Sequence, residues 1–259
     1  MIDRQDFGVC RFSIVPVYEQ PDYHSKQYNQ ILFGEHYSVT GSKGNWISVQ
    51  LAYDLSGGWI SKSQHHTISK DYFDQINISD YKITTDIAST ILYNKTPIHI
   101  VLGSIVPISN SELFKMEEQL AFNGESKSLG QKRDIEFLKA ILTKYSNTPY
   151  LPGGKSPFGI DSGGLIQMSF KICGYKLPRS VEEQMNCGKV VSEFNQAMPG
   201  DLIFLRKSDR ELISSILVSD EKVILVGGYT HQEQIDLKGI KAPGQKKHSM
   251  TIECIRRIL

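Results

Sequence analysis

The sequence predicts an α+β protein in which one or two small β-barrel modules precede a domain of helices followed by an antiparallel sheet. Three observations carry this. Residues 7–62 hold short runs rich in β-branched and aromatic residues between turn-forming clusters. At residue 131 the pattern changes to a helical period of apolar residues. After residue 200 it changes again, to strands that follow the helices rather than alternate with them.

In the first segment "FSIVPVY", "HYSVT" and "WISVQLAY" read as strands, with turns at "GSKGN" (41–45) and "DLSGG" (54–58). Such dense short strands suit a small barrel, and Trp59 with Ile60 reads as a core-filling pair. Residues 65–129 read as a second small β-rich module. There "PIHIVLGSIVPI" gives strands broken at Pro107, and "SELFKMEEQLAF" reads either as a short helix capped by Ser111 or as an irregular edge with a strand. In residues 130–259, Ile135, Leu138, Leu142 and Tyr145 share one helical face, and Pro149 marks the helix end. A Gly/Pro-rich loop follows. "LIQMSFKIC" is then apolar nearly all round, with Lys171 its one charge, and predicts a buried helix ended by Gly174. Strands follow in "GDLIFL", "LISSILVS", "KVILVGG" and "MTIECIRRI". The implied domains are 1–64, 65–129 and 130–259.

Composition excludes several classes. With 29 basic and 28 acidic residues the net charge is +1, so there is no electrostatic footprint for nucleic acid. No apolar run reaches the ~20 residues of a transmembrane helix, and the first residues lack the pattern of a secretory leader. The chain reads as cytoplasmic, or as periplasmic or secreted where a leader has been removed. Cys10, Cys173, Cys187 and Cys254 form no C-x-x-C pair and match no zinc spacing, so they read as reduced, mostly buried thiols. Neither a metal site nor a cofactor is expected.

The most informative stretch is "PGGKSPFGIDSGGL", followed by "GYKLPRS" and "AMPGDLIFL". Together these resemble the NlpC family of papain-like cell-wall peptidases, and "LFGEHYSV" with "NWISV" resembles the bacterial Src-homology-three-like barrels that accompany such domains. The resemblance spans nearly the whole chain and is weakest over 67–128. It implies a nucleophilic Cys at a helix start, attacking a γ-D-glutamyl amide of peptidoglycan peptides. The physics is plain: a helix amino terminus lowers a thiol pKa and can bind an oxyanion, while an imidazole and an orienting group complete the activation.

Against that pattern the chain departs where chemistry is expected. Ser162 stands at the nucleophile position. Aligned on "SDEK", the base position is Ile213 and the orienting position is Leu225. Loss of nucleophile or base alone costs on the order of a million-fold in a triad protease, so the resemblance implies a degenerate site. Of the seven histidines, His231 alone is placed in the catalytic segment downstream of Leu225, in a loop-like "YTHQEQ", and it reads as a satisfied or exposed loop residue rather than a relocated base. Cys173 reads as core; Cys187 has only Lys189 nearby to recommend it.

The binding side is mixed. Asp161 is retained, and the resemblance implies that it holds the free amine of the peptide; by position it is equally suited to cap the helix. Tyr150 matches a cleft tyrosine, with Pro152 in place of a neighbouring Trp. Glu35 matches a barrel residue that faces the cleft, or is a solvated strand-end charge. Ser56 replaces an amine-binding Tyr, and Gly163 replaces a Ser that hydrogen-bonds D-glutamate. Departures cluster at the site, whereas Gly153, Gly154, Pro178, Arg179, Pro199, Gly200 and Asp201 fit the pattern. The expectation is an inactive homologue that binds a murein peptide or a protein partner. The alternatives are a hydrolase built on Ser162 with another base, and an apolar small-molecule binder.

Overall fold

The structure is a computed structural model that describes residues 6–78, 80–93, 95–106, 120–207, 209–241 and 247–259. It divides into two compact units, residues 1–131 and 132–259. No helix among the described residues is long and apolar enough to cross a membrane.

The first unit opens with seven strands: β1 (Phe7–Val9), β2 (Ile14–Tyr18), β3 (Gln27–Leu32), β4 (His36–Lys43), β5 (Trp46–Leu51), β6 (Gly57–Ser61) and β7 (Thr67–Ile68). They pair antiparallel in the order β3-β2-β6-β5-β4-β1-β7. Alternation sends Val15, Val17, Ile47, Val49 and Ile60 into one core. The same alternation corrects the expectation for Trp59. Ile60 is fully buried, but its neighbour must point to the opposite face, and Trp59 lies half-buried opposite Ser48 and Tyr18. The turn expected at 41–45 is shorter, because β4 runs through Lys43 and Gly44 (φ +56°) makes the reversal.

Helix α1 (Lys70–Ile78) follows, a segment the sequence left unassigned. Its core-facing residues are Tyr72 and Ile76, one turn apart. Two three-stranded sheets complete the unit. One holds β8 (Lys82–Thr84), β11 (Ile105–Val106) and β13 (Ser126–Ser128); the other holds β9 (Ala88–Tyr93), β10 (Thr96–Val101) and β12 (Leu120–Asn123). The Ser111-capped helix falls outside the described residues, but the end of that stretch forms β12. Ile91, Ile100 and Val106 of this region share a core with Phe33, just past β3.

The second unit begins with α2 (Ile135–Lys144), capped by Asp134, whose side chain accepts from Phe137 N at 3.1 Å. Leu138, Leu142 and Tyr145 of the expected stripe are fully buried. A short hairpin, β14 (Lys155–Ser156) and β15 (Gly159–Ile160), leads into α3 (Ser162–Ile172), which is buried from Gly163 to its end. As expected, Gly174 terminates it, at φ +84°. After α4 (Val181–Gln184) come β16 (Lys189–Val191), β17 (Leu202–Lys207), β18 (Leu212–Ser219), β19 (Lys222–Val226), β20 (Thr230–Asp236), β21 (Gly239–Lys241) and β22 (His248–Arg257). Each strand from β17 to β21 pairs with the next, and β22 pairs with both β21 and β17, which closes a six-stranded barrel. Its interior holds Ile203, Leu205, Leu217, Val223, Leu225, Ile235 and Ile240. Helix α3 packs on β18 and β19. Cys10 and Cys173 are buried, and Cys187 and Cys254 are half-buried.

Candidate functional site

The amino end of α3 is built by glycines and one carboxylate. Gly153 (φ +70°) turns the loop, and β14–β15 brings the chain to Asp161 in extended conformation (φ −109°, ψ 175°). Asp161 then caps α3: Oδ1 accepts from Gly164 N at 2.7 Å. Oδ2 accepts from Gly153 N at 2.8 Å and from Arg179 Nη2 at 2.7 Å. Arg179, 6% exposed, also donates to Gly154 O at 3.3 Å. One carboxylate therefore joins the loop, the helix and the segment before α4.

The two residues just past Ser162, Gly163 and Gly164, have no room for side chains. A Cβ at Gly163 would lie 2.6 Å from Arg179 O, and one at Gly164 would collide with Gly154 O. The position expected to have exchanged a Ser for Gly is thus pressed against the backbone of residue 179. Gln184 of α4 seals the same turn, donating to Gly163 O and Pro178 O at 2.9 Å each.

Ser162 is the first helical residue and is half-buried. Among the described residues nothing hydrogen-bonds its Oγ. Ile213 in β18 is 2% exposed and lies opposite Leu205. Leu225 in β19 is 1% exposed and belongs to the barrel interior. Neither side chain can take or orient a proton.

His231 is not in a loop. It lies in β20, directly opposite Leu225. The polar alternation "THQEQID" hid that strand, since only Thr230 and Ile235 are buried within it. The imidazole stacks on Tyr229 at 4.7 Å between centroids. Nδ1 faces Tyr229 O at 2.8 Å and Nε2 faces Glu233 Oε1 at 3.0 Å. Both ring nitrogens are therefore directed at other residues, and neither is hydrogen-bonded to Ser162. His248 is likewise engaged, with Nε2 2.7 Å from Asp236 Oδ1.

Tyr150 is brought to Asp161. Its backbone N donates to Gly228 O at 2.9 Å, and its ring is 48% exposed. Burial first, then the Asp161 and Glu211 carboxylates, raise its phenol above the ordinary value. Glu35 and Ser56 belong to the first unit. Glu35 is 3% exposed, so it is not a solvated charge; Oε2 accepts from Leu32 N at 2.8 Å across the turn at Gly34. Ser56 donates to Asp54 Oδ1 at 2.6 Å and accepts from Asn29 Nδ2 at 2.8 Å.

A buried helix whose amino end opens at a Gly-rich loop, packed on a closed antiparallel barrel and preceded in sequence by SH3-like β-sheets, defines a mixed α+β class of two-unit protein. Within that class, residues 147–252 match the NlpC/P60 family and residues 17–64 match the bacterial dipeptidyl-peptidase SH3 domain. The chain carries an NlpC/P60 family domain behind an N-terminal bacterial SH3 domain.

Dipeptidyl-peptidase 6 of Lysinibacillus sphaericus is 26% identical over 219 residues, which cover 73% of this chain and 77% of that protein. The gamma-D-glutamyl-L-lysine dipeptidyl-peptidase of Bacillus subtilis (strain 168) is 28% identical over 192 residues, 68% of this chain and 62% of its own length. The crystal structure of an NlpC/P60 family protein from Bacillus cereus ATCC 10987 shares the fold over 97% of this chain and 99% of that one, with a TM-score of 0.81 at 16% identity.

Proposed function

We propose that this NlpC/P60 homologue binds a cell-wall peptide without hydrolysing it. The observation that carries the reading is the composition of the site. A serine opens α3 with no base on its hydroxyl, and the base and orienting positions are the buried aliphatics Ile213 and Leu225. A weak nucleophile needs a positioned base. The two histidines described in this unit hold other acceptors.

Binding has more support. A carboxylate offers about four lone-pair sites, and Asp161 uses three, on Gly153, Gly164 and Arg179. Its side chain is 20% exposed, leaving room for one further donor such as a peptide ammonium. Because Arg179 already offsets the charge, an amine is held there by hydrogen bonding more than by net attraction. Tyr150 supplies an exposed ring beside the same carboxylate. Buried alkyl groups at 213 and 225 do nothing to prevent binding, only proton transfer.

The experiment is calorimetric titration with L-Ala-γ-D-Glu-diaminopimelate and its L-lysine counterpart, with mass spectrometry of the recovered ligand. Intact ligand bound with an affinity that drops in Asp161→Ala is the expected result. Cleavage that survives repurification and disappears in Ser162→Ala would overturn the reading. So would the absence of both binding and cleavage, which would assign the site to another ligand.

A further inference from the structure

We propose that the mouth of the six-stranded barrel at its β18–β19 turn binds an organic cation, a primary ammonium or guanidinium carried on an apolar body. A cavity of about 670 Å³ opens there, between the single helical turn Phe194–Gln196, the β18–β19 turn and the strands β20 and β21. It is not the site at the start of α3. Ile213 sits near the beginning of β18 and Asp220 just past its end, roughly 20 Å apart at the rise of an extended strand. The inference is therefore independent of what the α3 site binds.

The floor of the cavity continues the barrel core. Ile235 belongs to that core, Phe194 and Ala197 pack against it, and all three line the cavity. Leu237, 71% exposed, extends the apolar surface to the rim. The walls are held by hydrogen bonds: Ile235 N donates to Glu221 O at 2.9 Å, and Arg257 Nη2 to Gln196 O at 2.9 Å. Barrel mouths are favoured places for small ligands, and this volume falls inside the usual range of about 300–1,000 Å³ for their sites. A concave, largely preformed space of that size suits a small molecule rather than a protein surface.

Charge narrows the occupant. The lining holds three carboxylates, Asp220, Glu221 and Asp236, and one cation, Lys241. Lys241 lies 2.9 Å from Asp236, so those two charges offset each other. Among the described residues the side chains of Asp220 and Glu221 make no hydrogen bond or ion pair, and their neighbours Lys222 and Lys238 do not line the cavity. Two unpaired negative charges thus stand beside an apolar floor. An anion would be repelled, and a purely apolar ligand would desolvate the carboxylates without giving them a partner. An inorganic cation fits no better, because hard divalent ions want six or more oxygens. Among the described residues no three His, Cys, Asp or Glu side chains are grouped to hold a metal. An amine on an apolar body answers both the carboxylates and the floor, and the amides of Asn195 and Gln234 at the lining can accept its remaining protons.

The test is amide NMR of the full chain titrated with 2-phenylethylamine, with neutral 2-phenylethanol and anionic 3-phenylpropionate as controls. The amine should shift the amides of Glu221, Ile235 and Leu237 saturably, in the millimolar range, and bind severalfold tighter than either control. Joint replacement Asp220→Asn and Glu221→Gln, both at an exposed turn, should leave the urea midpoint unchanged. It should weaken the amine about fivefold, the upper worth of one exposed ion pair, and leave the alcohol unaffected. Leu237→Ser should weaken amine and alcohol alike. The proposal is overturned by a titration that stays flat into the tens of millimolar, or by shifts confined to the amides around the start of α3. It is equally overturned if the acid binds as tightly as the amine, or if amine binding is indifferent to both variants.

Discussion

Around the start of α3 the groups that shape the backbone are engaged, while the positions expected to carry chemistry are not. Asp161 satisfies two amides and a buried guanidinium, and Gly163 and Gly164 are pressed against backbone carbonyls. Beside them Ser162 Oγ bonds to nothing described, and Leu225 is one more aliphatic of the barrel interior. The contrast separates two reasons for a residue to be present. A capping carboxylate contributes about 1 kcal/mol to a helix, and glycines at closed contacts are enforced by sterics, so the cradle is accounted for by folding alone. A buried imidazole at 225 would instead need partners for two ring nitrogens, and the apolar cluster that holds Leu225 supplies none.

The largest expected effect bears on Leu225. As a barrel residue its truncation to Ala should cost about 3 kcal/mol, within the usual range for buried leucines, read from the urea midpoint. Leu225→His should be at least as damaging. A loss under about 1 kcal/mol in both would mean that this position has room to spare, and would break the distinction between core and site.

Gly164→Ala comes next. Its methyl would meet the Gly154 carbonyl, which is backbone and cannot swing away, so α3 or the loop must shift. About 2–3 kcal/mol is expected, toward the upper end of overpacking costs. Wild-type stability would show that the loop is looser than its hydrogen bonds to Asp161 imply.

Asp161 sharpens the comparison directly. Asp161→Asn keeps an acceptor for Gly164 N but loses the charge facing Arg179, and should cost about 1 kcal/mol. Asp161→Ala removes the cap as well and should cost about 2 kcal/mol, short of a fully buried broken pair because the carboxylate is 20% exposed. Equilibrium unfolding of the two variants separates these contributions. Equal losses would place the whole effect in the ion pair.

The same contrast explains what could be read from the sequence. The α2 stripe, the apolar run of α3, its terminator Gly174 and the strands β17 to β19 were legible because each carries a local signal, whether a helical period, a continuous apolar run or a turn residue. The strand holding His231 was not, since its alternating residues are mostly half-exposed polar groups at the barrel wall. Helix α1 shows its core only through Tyr72 and Ile76, too few to reveal a period. Barrel closure by β21 and β22 is a long-range pairing that no local pattern encodes. At the site, residue types gave the missing chemistry. The contact of Asp161 with Arg179 and that of Gly163 with Arg179 O depend on where residue 179 folds, eighteen positions or so further on.

The smallest effect tests a carboxylate on the barrel rather than in the cradle. Asp236 ends β20 and holds Lys241 at 2.9 Å, the Lys238 amide at 2.9 Å and His248 at 2.7 Å. The Lys241 contact first, then the Lys238 amide, hold its carboxyl well below the usual carboxylate range. A depressed folded-state pKa stabilises the fold above the unfolded value of ~3.9, and that contribution fades as pH falls through the lower folded value. Asp236→Asn should therefore be less stable than wild type at pH 7, with the gap closing progressively below about pH 4. Its side chain is 43% exposed, so solvent limits the gap to about 0.5 kcal/mol. Urea melts at pH 7 and pH 3 on the same two proteins decide the point. A gap that persists unchanged at pH 3 would assign the role of Asp236 to turn geometry, as for Asp161 in the cradle, rather than to charge.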